Sequence, residues 1–500
     1  MEGFWQRMAC RFLGCIGHCR PFLPIVLLAV ILIFSVHPAA ASALSSPSNL
    51  SNYVNTLLND PCFQKGQHGA RAVNLASRQR LLDVNGDALL IPASTTKLIT
   101  SAAALLRLSP HYRFRTMLAT DAPIQDGVLE GDLYLKGYGD PALVIEEAWL
   151  LARGLRQQGV HRILGDLIGD DSFFDAESRG PGWADDRSQR AFNAKIGALS
   201  VNFNSATIVA TPGLQPGDPV QVMVEPASRY LTIQNTARTS RPGQGQGLSA
   251  TRLQQEVGDT LVIEGSLAVG SPPQTVHRNL SNPVLHAIMV IWDLLQREAV
   301  RIDGRPRTGL APSAARALYV HQSRALYRIV DDLHKFSNNF VAEQVLKTLG
   351  AEAYGPPGSW DKGLAVVADV LASFGIARGT YTLADGSGLS RLNRLSAAQL
   401  VTVLTRMAQD FRLQPEYMAS LRTPDADGGQ SRRFRAAGFA QRARVKTGSL
   451  DDVSALAGYV DGRHGELIAF AVMLNGPLCS MERAWEVQDA VVEALMRGER

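Results

Sequence analysis

The chain has 500 residues, too many for one ordinary core, so two or three domains are expected. With 46% hydrophobic and 19% charged residues, its composition is that of a globular protein with ample core. A net charge of only +4, with no basic run and no interleaving of basic and aromatic residues, excludes nucleic acid as a partner.

Residues 1–43 read as a targeting segment. Arg7, Arg11 and Arg20 form a basic region, 22–36 is apolar, and Ala39-Ala-Ala41 and Ala41-Ser-Ala43 are small-x-small cleavage sites. The apolar run is short for a membrane span, and no later one is long enough. Cleavage near Ala41 or Ala43 is expected, leaving an exported mature chain without a span. Cys10, Cys15 and Cys19 fall in that segment, which leaves Cys62 and Cys479 as one disulfide or two buried thiols. No spacing of His and Cys suits a metal, so no metal site is read.

Further on, 51–59 reads as a short helix and 71–77 as a strand. Another strand is expected within 81–90, around the hairpin signal Asn85-Gly86. A helix runs from Ser94 through Leu106, with Pro92 just before it. From 112 to about 283 the pattern is short alternating runs separated by Gly, Asp and Pro, which reads as β-rich, with one helix over 146–158. Residues 241–247 are Gly-rich and read as a loop. Helices return over 285–299, 323–334, 340–349 and 362–374. The chain closes with strands over 442–446, 454–460 and 467–474 and a helix over 482–496. Helices and strands at both ends therefore bracket a β-rich middle, which suggests one α/β domain interrupted by an insertion.

Ser94-Thr-Thr-Lys97 carries the chemistry. Residues three apart share a helix face, so Lys97 can reach the Ser94 hydroxyl. That hydroxyl is a poor nucleophile until a neighbouring base takes its proton, and the helix N-terminus favours developing negative charge. A chain this long holds about one S-x-x-K by chance, and the bland alternative is a capping Ser94 and a solvated Lys97. Two further motifs outweigh it: Ser337-Asn-Asn339, an S-x-N, and Lys446-Thr-Gly448, a K-T-G. Each alone would be a turn or a strand end. In this order the three are the signature of penicillin-binding proteins and serine β-lactamases.

More closely, the chain resembles the D-alanyl-D-alanine carboxypeptidase/endopeptidase family that includes penicillin-binding protein 4. The resemblance rests on Pro92-Ala-Ser-Thr-Thr-Lys-Leu-Ile-Thr100, Leu129-Glu-Gly-Asp-Leu133, Gly139-Asp-Pro141, Pro181-Gly-Trp183, Asp385-Gly-Ser-Gly-Leu-Ser-Arg391 and Val445-Lys-Thr-Gly-Ser-Leu450. It implies an α/β (α+β) transpeptidase-like domain I from both chain ends, 44–110 and 285–500, with a central antiparallel sheet between helices. It also implies a mainly β domain II over 111–284, with a small domain III nested at about 124–195. First and last strands would be neighbours, bringing Cys62 and Cys479 close enough for a disulfide.

The implied reaction is acyl transfer at a D-Ala-D-Ala bond of a peptidoglycan stem peptide, with no cofactor and with β-lactams as covalent inhibitors. Ser94 attacks, and Lys97 is the base, its pKa lowered by burial and by a nearby cation, Lys446. Ser337 relays a proton to the leaving amine. Asn339 binds the substrate amide and helps hold Lys97. Lys446, Thr447 and Gly448 line the carboxylate subsite, and the N–H groups of Ser94 and Ser449 form the oxyanion hole. Arg391 is implied near a diaminopimelate side-chain pocket, with Asp185 or Asp186 as its acidic partner; the alternative for both aspartates is a solvated loop. Asn338 stands where many relatives carry Asp. The rival readings are a serine β-lactamase, disfavoured because no E-x-x-L-N string is present, and a non-hydrolytic β-lactam or peptidoglycan binder. Carboxypeptidase and endopeptidase action use the same groups. In a Gram-negative cell the exported protein would be periplasmic.

Overall fold

The computed structural model describes residues 47–63, 65–183, 188–424, 433–434 and 440–498. The expected targeting segment with its three cysteines, and Asp185 and Asp186, lie outside the described residues.

The chain's two ends build one antiparallel sheet of five strands, in the order Ala443–Leu450, Val453–Asp461, Leu467–Asn475, Gln67–Asn74 and Arg80–Val84. Val453–Asp461 and Leu467–Asn475 are near-continuous apolar runs because both their faces are covered. Alternation sends Ala455, Ala457, Tyr459, Ala469, Ala471 and Met473 to one face. Helix Ala397–Gln409 lies against that face, with helix Lys97–Leu108 packed beside it. The other face presents Leu456, Val460, Ile468, Phe470, Val472 and Leu474 to helices Pro47–Leu58 and Met481–Arg497. Each fully buried side chain of this size is worth roughly 1.5–3 kcal/mol. Helix Lys97–Leu108 is buried nearly all round, Thr100 and Ser101 included, which makes it a central helix of the fold.

Residue Gln67 pairs with Asn475 across the chain ends. Just beyond this pair Cys62 and Cys479 are bonded, with Cα atoms 5.0 Å apart. The first hairpin turns at 75–79 rather than at Asn85-Gly86. Asn74 Oδ1 accepts from the N–H groups of Ala76 and Ser77 and supplies the turn chemistry. Gly86 serves packing instead: a Cβ there would lie 2.6 Å from Arg71 Nε and from Asp83 Oδ1, a bonded pair.

The middle of the chain divides differently from the expectation. Arg115–Thr120, Leu133–Gly137 and Leu167–Asp170 share a mixed five-stranded sheet with Pro306–Thr308 and Arg316–Gln322. Helices Ile145–Gln157 and Pro283–Arg297 pack on it. Strands within 301–322 therefore pair with strands of the middle of the chain. The expected nested unit at 124–195 does not stand apart, since its strands pair with 301–322. Among the described residues of the middle, the strands within 205–279 pair with one another, in sheets of three and four.

Candidate active site

The turn that carries Ser94 forms where three backbones crowd together. Ala93–Thr96 is a 3₁₀ turn leading directly into Lys97–Leu108. Ala93 is fully buried with φ +46°, a left-handed conformation that a non-glycine residue holds only under tertiary constraint. The constraint is visible. A Cβ on Gly448 would lie 2.8 Å from Pro92 O and 3.0 Å from Ser94 N, and one on Gly388 would overlap Ala93 O. Strand Ala443–Leu450 and the loop 385–391 thus clamp the turn from two sides.

Ser94 is partly exposed, while Lys97 behind it is fully buried. Lys97 Nζ reaches Ser94 Oγ at 2.9 Å, Asn339 Oδ1 at 2.6 Å and the carbonyl of Ser387 at 2.7 Å. Burial pulls its pKa down from 10.5 to about 7, against the opposing pull of Asp385 and Glu343. Here the sequence expectation needs correcting: burial does the lowering. The repulsion between the two lysines bears on Lys446, held well below its ordinary value by burial, then by Lys97 and Arg422.

Lys446 Nζ donates to Ser337 Oγ at 2.8 Å and to Thr447 O at 2.6 Å. Ser337 has φ +54° in the bend before helix Asn339–Tyr354, and Asn338 caps that helix by accepting from Val341 N. Position 338 thus needs a capping side chain, a role Asn fills as well as Asp. Asn339, the first helical residue, also donates to the Phe192 carbonyl at 3.1 Å.

Backbone alternation orients the Lys-Thr-Gly strand. Val445 exchanges both hydrogen bonds with Arg422 on the sheet's outer edge, at 2.9 and 3.0 Å. Two-residue periodicity then turns the N–H groups of Thr447 and Ser449 toward the same edge, where Ser94 N lies beside Gly448. Ser449 is itself exposed.

Among the remaining expected residues, Arg391 donates to the Asp451 carbonyl at 2.9 and 2.6 Å, tying its loop to the turn after the Lys-Thr-Gly strand. Trp183 Nε1 donates to Asp385 Oδ2 at 2.9 Å, so Pro181-Gly-Trp183 abuts the same loop.

Sequence reasoning missed the groups behind Lys97. Glu343 Oε1 accepts from Ser387 N at 2.7 Å, and its Oε2 from Gly386 N at 3.0 Å and Trp360 Nε1 at 2.9 Å. Glu343 stands four residues after Asn339, on the same helix face, and that spacing is the signal that could have found it. His334 lies beneath Lys97 between Ser101 Oγ and Ser420 Oγ, and burial drives it down to about 3, so it is neutral. Among the described residues no cluster of His, Cys, Asp and Glu could hold a metal.

The model of the D-Ala-D-Ala carboxypeptidase 3 (S13) family matches residues 50–497. The chain belongs to that family. It is 33% identical to a D-alanyl-D-alanine carboxypeptidase of Actinomadura sp. (strain R39), over 95% of this chain and 88% of the relative. The crystal structure of penicillin binding protein 4 from Haemophilus influenzae superposes with a TM-score of 0.77 at 26% identity, covering 89% of this chain and 99% of that one. A second structure of that protein, complexed with a β-lactam, gives a TM-score of 0.72 at 24% identity over 90% and 99% of the two chains. This family member is accordingly a serine-type D-Ala-D-Ala carboxypeptidase with the penicillin-binding-protein fold.

Proposed function

We propose that Ser94 is the acylating nucleophile and Lys97 its base, acting on the D-Ala-D-Ala end of peptidoglycan stem peptides. The observation that carries this reading is a pair of Lys–Ser contacts: Lys97 to Ser94 at 2.9 Å and Lys446 to Ser337 at 2.8 Å. Ser94 Oγ attacks the carbonyl of the penultimate D-Ala while Lys97 takes its proton. The oxyanion is received by the N–H groups of Ser94 and Ser449. Ser337, linked to Lys446, passes a proton to the leaving amine, and water later releases the shortened peptide. A terminal carboxylate arriving beside Lys446, Thr447 and Gly448 restores the charge that burial disfavours on Lys446. The two lysines thereby divide the work, one neutral and one charged.

The same nucleophile would be acylated by β-lactams, in keeping with the β-lactam complex of the H. influenzae protein. A cross-linked stem as leaving group would make the reaction an endopeptidase one, with no change in the groups used. Arg391 and one of Asp185 and Asp186 would recognise the stem's side chain. The catalytic domain would comprise the chain up to 110 and from about 323 onward. The basic and apolar start of the chain supports export with cleavage near Ala41 or Ala43, hence a periplasmic place in a Gram-negative cell. Among the described residues no helix is long and apolar enough to cross a membrane.

Fluorescent penicillin should label the purified protein covalently, and Ser94→Ala should abolish the label. Labelling that persists in Ser94→Ala sinks the assignment. Mass spectrometry of digested muropeptides then apportions the products: loss of terminal D-Ala marks carboxypeptidase action, and loss of cross-linked dimers marks endopeptidase action.

A further inference from the structure

A neutral lysine has two N–H donors and one lone pair. To act as a base toward Ser94, Lys97 must aim the lone pair at the hydroxyl and spend both donors elsewhere. The two other acceptors at Nζ are Asn339 Oδ1 and the Ser387 carbonyl. Asn339 is fixed by the start of its helix. The Ser387 carbonyl belongs to an irregular loop with no ladder of its own.

Carboxylates hold that loop instead. Glu343 takes the N–H groups of Gly386 and Ser387, while Asp385 takes those of Gly388, at 2.9 Å, and Ser390, at 2.7 Å. Gly386 O also accepts from Thr100 Oγ1 at 2.6 Å, which ties the loop to the nucleophile helix. Both Glu343 oxygens are filled by N–H donors, an arrangement suited to the ionised form. Glu343 is completely buried, and burial together with the neighbouring Asp385 pushes it up to about 7 against the pull of its three N–H donors, so its carboxylate, when ionised, stands against Lys97 with little screening.

We propose that Glu343 is a positioning residue for the acylation step: through the Ser387 carbonyl it fixes the Lys97 amine so that its lone pair faces Ser94. One helix then sets both acceptors of the base, directly with Asn339 and through the loop with Glu343. This rests on the reading of Ser94 and Lys97 given above.

The groups facing Lys97 can be named element by element. Helix Asn339–Tyr354 contributes Glu343, the loop contributes Asp385, and helix Leu326–Lys335 contributes the neutral His334. Strand Ala443–Leu450 contributes Lys446, with Arg422 beside it. Of these, Asp385 and Glu343, in their ionised forms, hold the Lys97 pKa up, so removing the Glu343 carboxylate lets it fall.

Glu343→Gln turns an amide N–H toward the loop's donors, whereas Glu343→Asp keeps the charge on a shorter stem. Trp360→Phe removes the donor that shares Glu343 Oε2 with Gly386 N, leaves the carboxylate in place and serves as a control. The assay is hydrolysis of an N-acyl-D-Ala-D-Ala peptide across pH, with melting temperature recorded. Glu343→Gln should lower kcat at least tenfold with KM little changed, and move the acid limb of the profile to lower pH. Glu343→Asp should recover part of the rate, and Trp360→Phe should leave the limb in place. An unmoved limb, or a loss confined to KM or to melting temperature, overturns the proposal. If Glu343→Gln does not fold, Glu343→Asp decides: wild-type kcat and profile overturn it, a lowered kcat at unchanged KM sustains it. A wild-type profile without any acid limb overturns the reading of Lys97 itself, a different failure.

Discussion

At the residue scale the site turns on one buried amine. Lys97 is fully buried in the first turn of helix Lys97–Leu108, and that burial brings it to about 7, where an amine can serve as a base near neutrality. The sign follows directly. Only the neutral form takes the Ser94 proton, and its fraction grows as pH rises through about 7. The acylation rate with a chromogenic cephalosporin should therefore climb with pH and level off above that value. At pH 5 it should be lower by roughly a hundredfold, the loss of neutral base two pH units down. Stopped-flow acylation across pH 5–9 checks this, and a rate flat over that range would remove Lys97 from the role. Replacing the amine altogether, as in Lys97→Ala, should cost about 10²–10⁴-fold in acylation, the usual worth of a placed general base. Sequence spacing pointed to Ser94 and Lys97 because they are three positions apart in one helix. Glu343 stayed hidden because its partners, Gly386 and Ser387, are distant in the chain and offer only backbone N–H groups, which no side-chain motif records.

At the element scale the decisive contact is that of strand Ala443–Leu450 with the turn Ala93–Thr96. The strand is expected only as far as Lys446, yet it runs on through Thr447, Gly448 and Ser449. In Lys-Thr-Gly only the threonine favours a strand while Lys and Gly do not, and the extension comes from pairing with Val453–Asp461. Gly448 is needed there for close approach, since the atoms a Cβ would meet, Pro92 O and Ser94 N, are backbone and cannot swing aside. Gly448→Ala should push the nucleophile turn away from the strand by a fraction of an ångström or more. Misplacement on the scale of 1 Å costs about a hundredfold in rate, while overpacking of this kind costs about 1–3 kcal/mol of stability. The expected variant is folded, somewhat less stable and nearly inactive, as read by circular dichroism and acylation kinetics together. Wild-type acylation in Gly448→Ala would show that the close approach is not needed. Helices Ala397–Gln409 and Gln414–Ser420 went unread, although Ser396 and Gln399 form a capping box at the start of the first.

At the scale of the whole molecule, the catalytic sheet depends on joining segments from opposite ends of the chain. Its inner strands Val453–Asp461 and Leu467–Asn475 and the closing helix Met481–Arg497 were legible because long apolar runs with clear periods specify them. The pairings of the middle were not, because a two-residue strand such as Arg162–Ile163 is flanked by segments distant in the chain, Val128–Leu129 on one side and Arg301–Ile302 on the other. The sheet's closure is fastened at one corner. Asn475 exchanges hydrogen bonds with Ile91 through its side chain, Asp60 pairs with Arg483 at 2.5 Å, and Cys62 is bonded to Cys479. The disulfide spans 417 positions of sequence, so it removes a great deal of freedom from the unfolded chain while touching none of the groups around Ser94. Its loss should therefore act on stability and spare the chemistry. The double variant Cys62→Ser/Cys479→Ser should lose about 2–4 kcal/mol, the typical worth of a native bridge. Its acylation rate at 25 °C should match wild type, because Lys97, Asn339 and Lys446 are held by contacts that do not pass through that corner. Dithiothreitol should shift the denaturation midpoint of the wild type toward that of the variant and leave the variant's own midpoint unmoved. Equal midpoints for the two proteins under oxidising conditions would show that the sheet pairing and the Asp60–Arg483 ion pair close the domain without the bond.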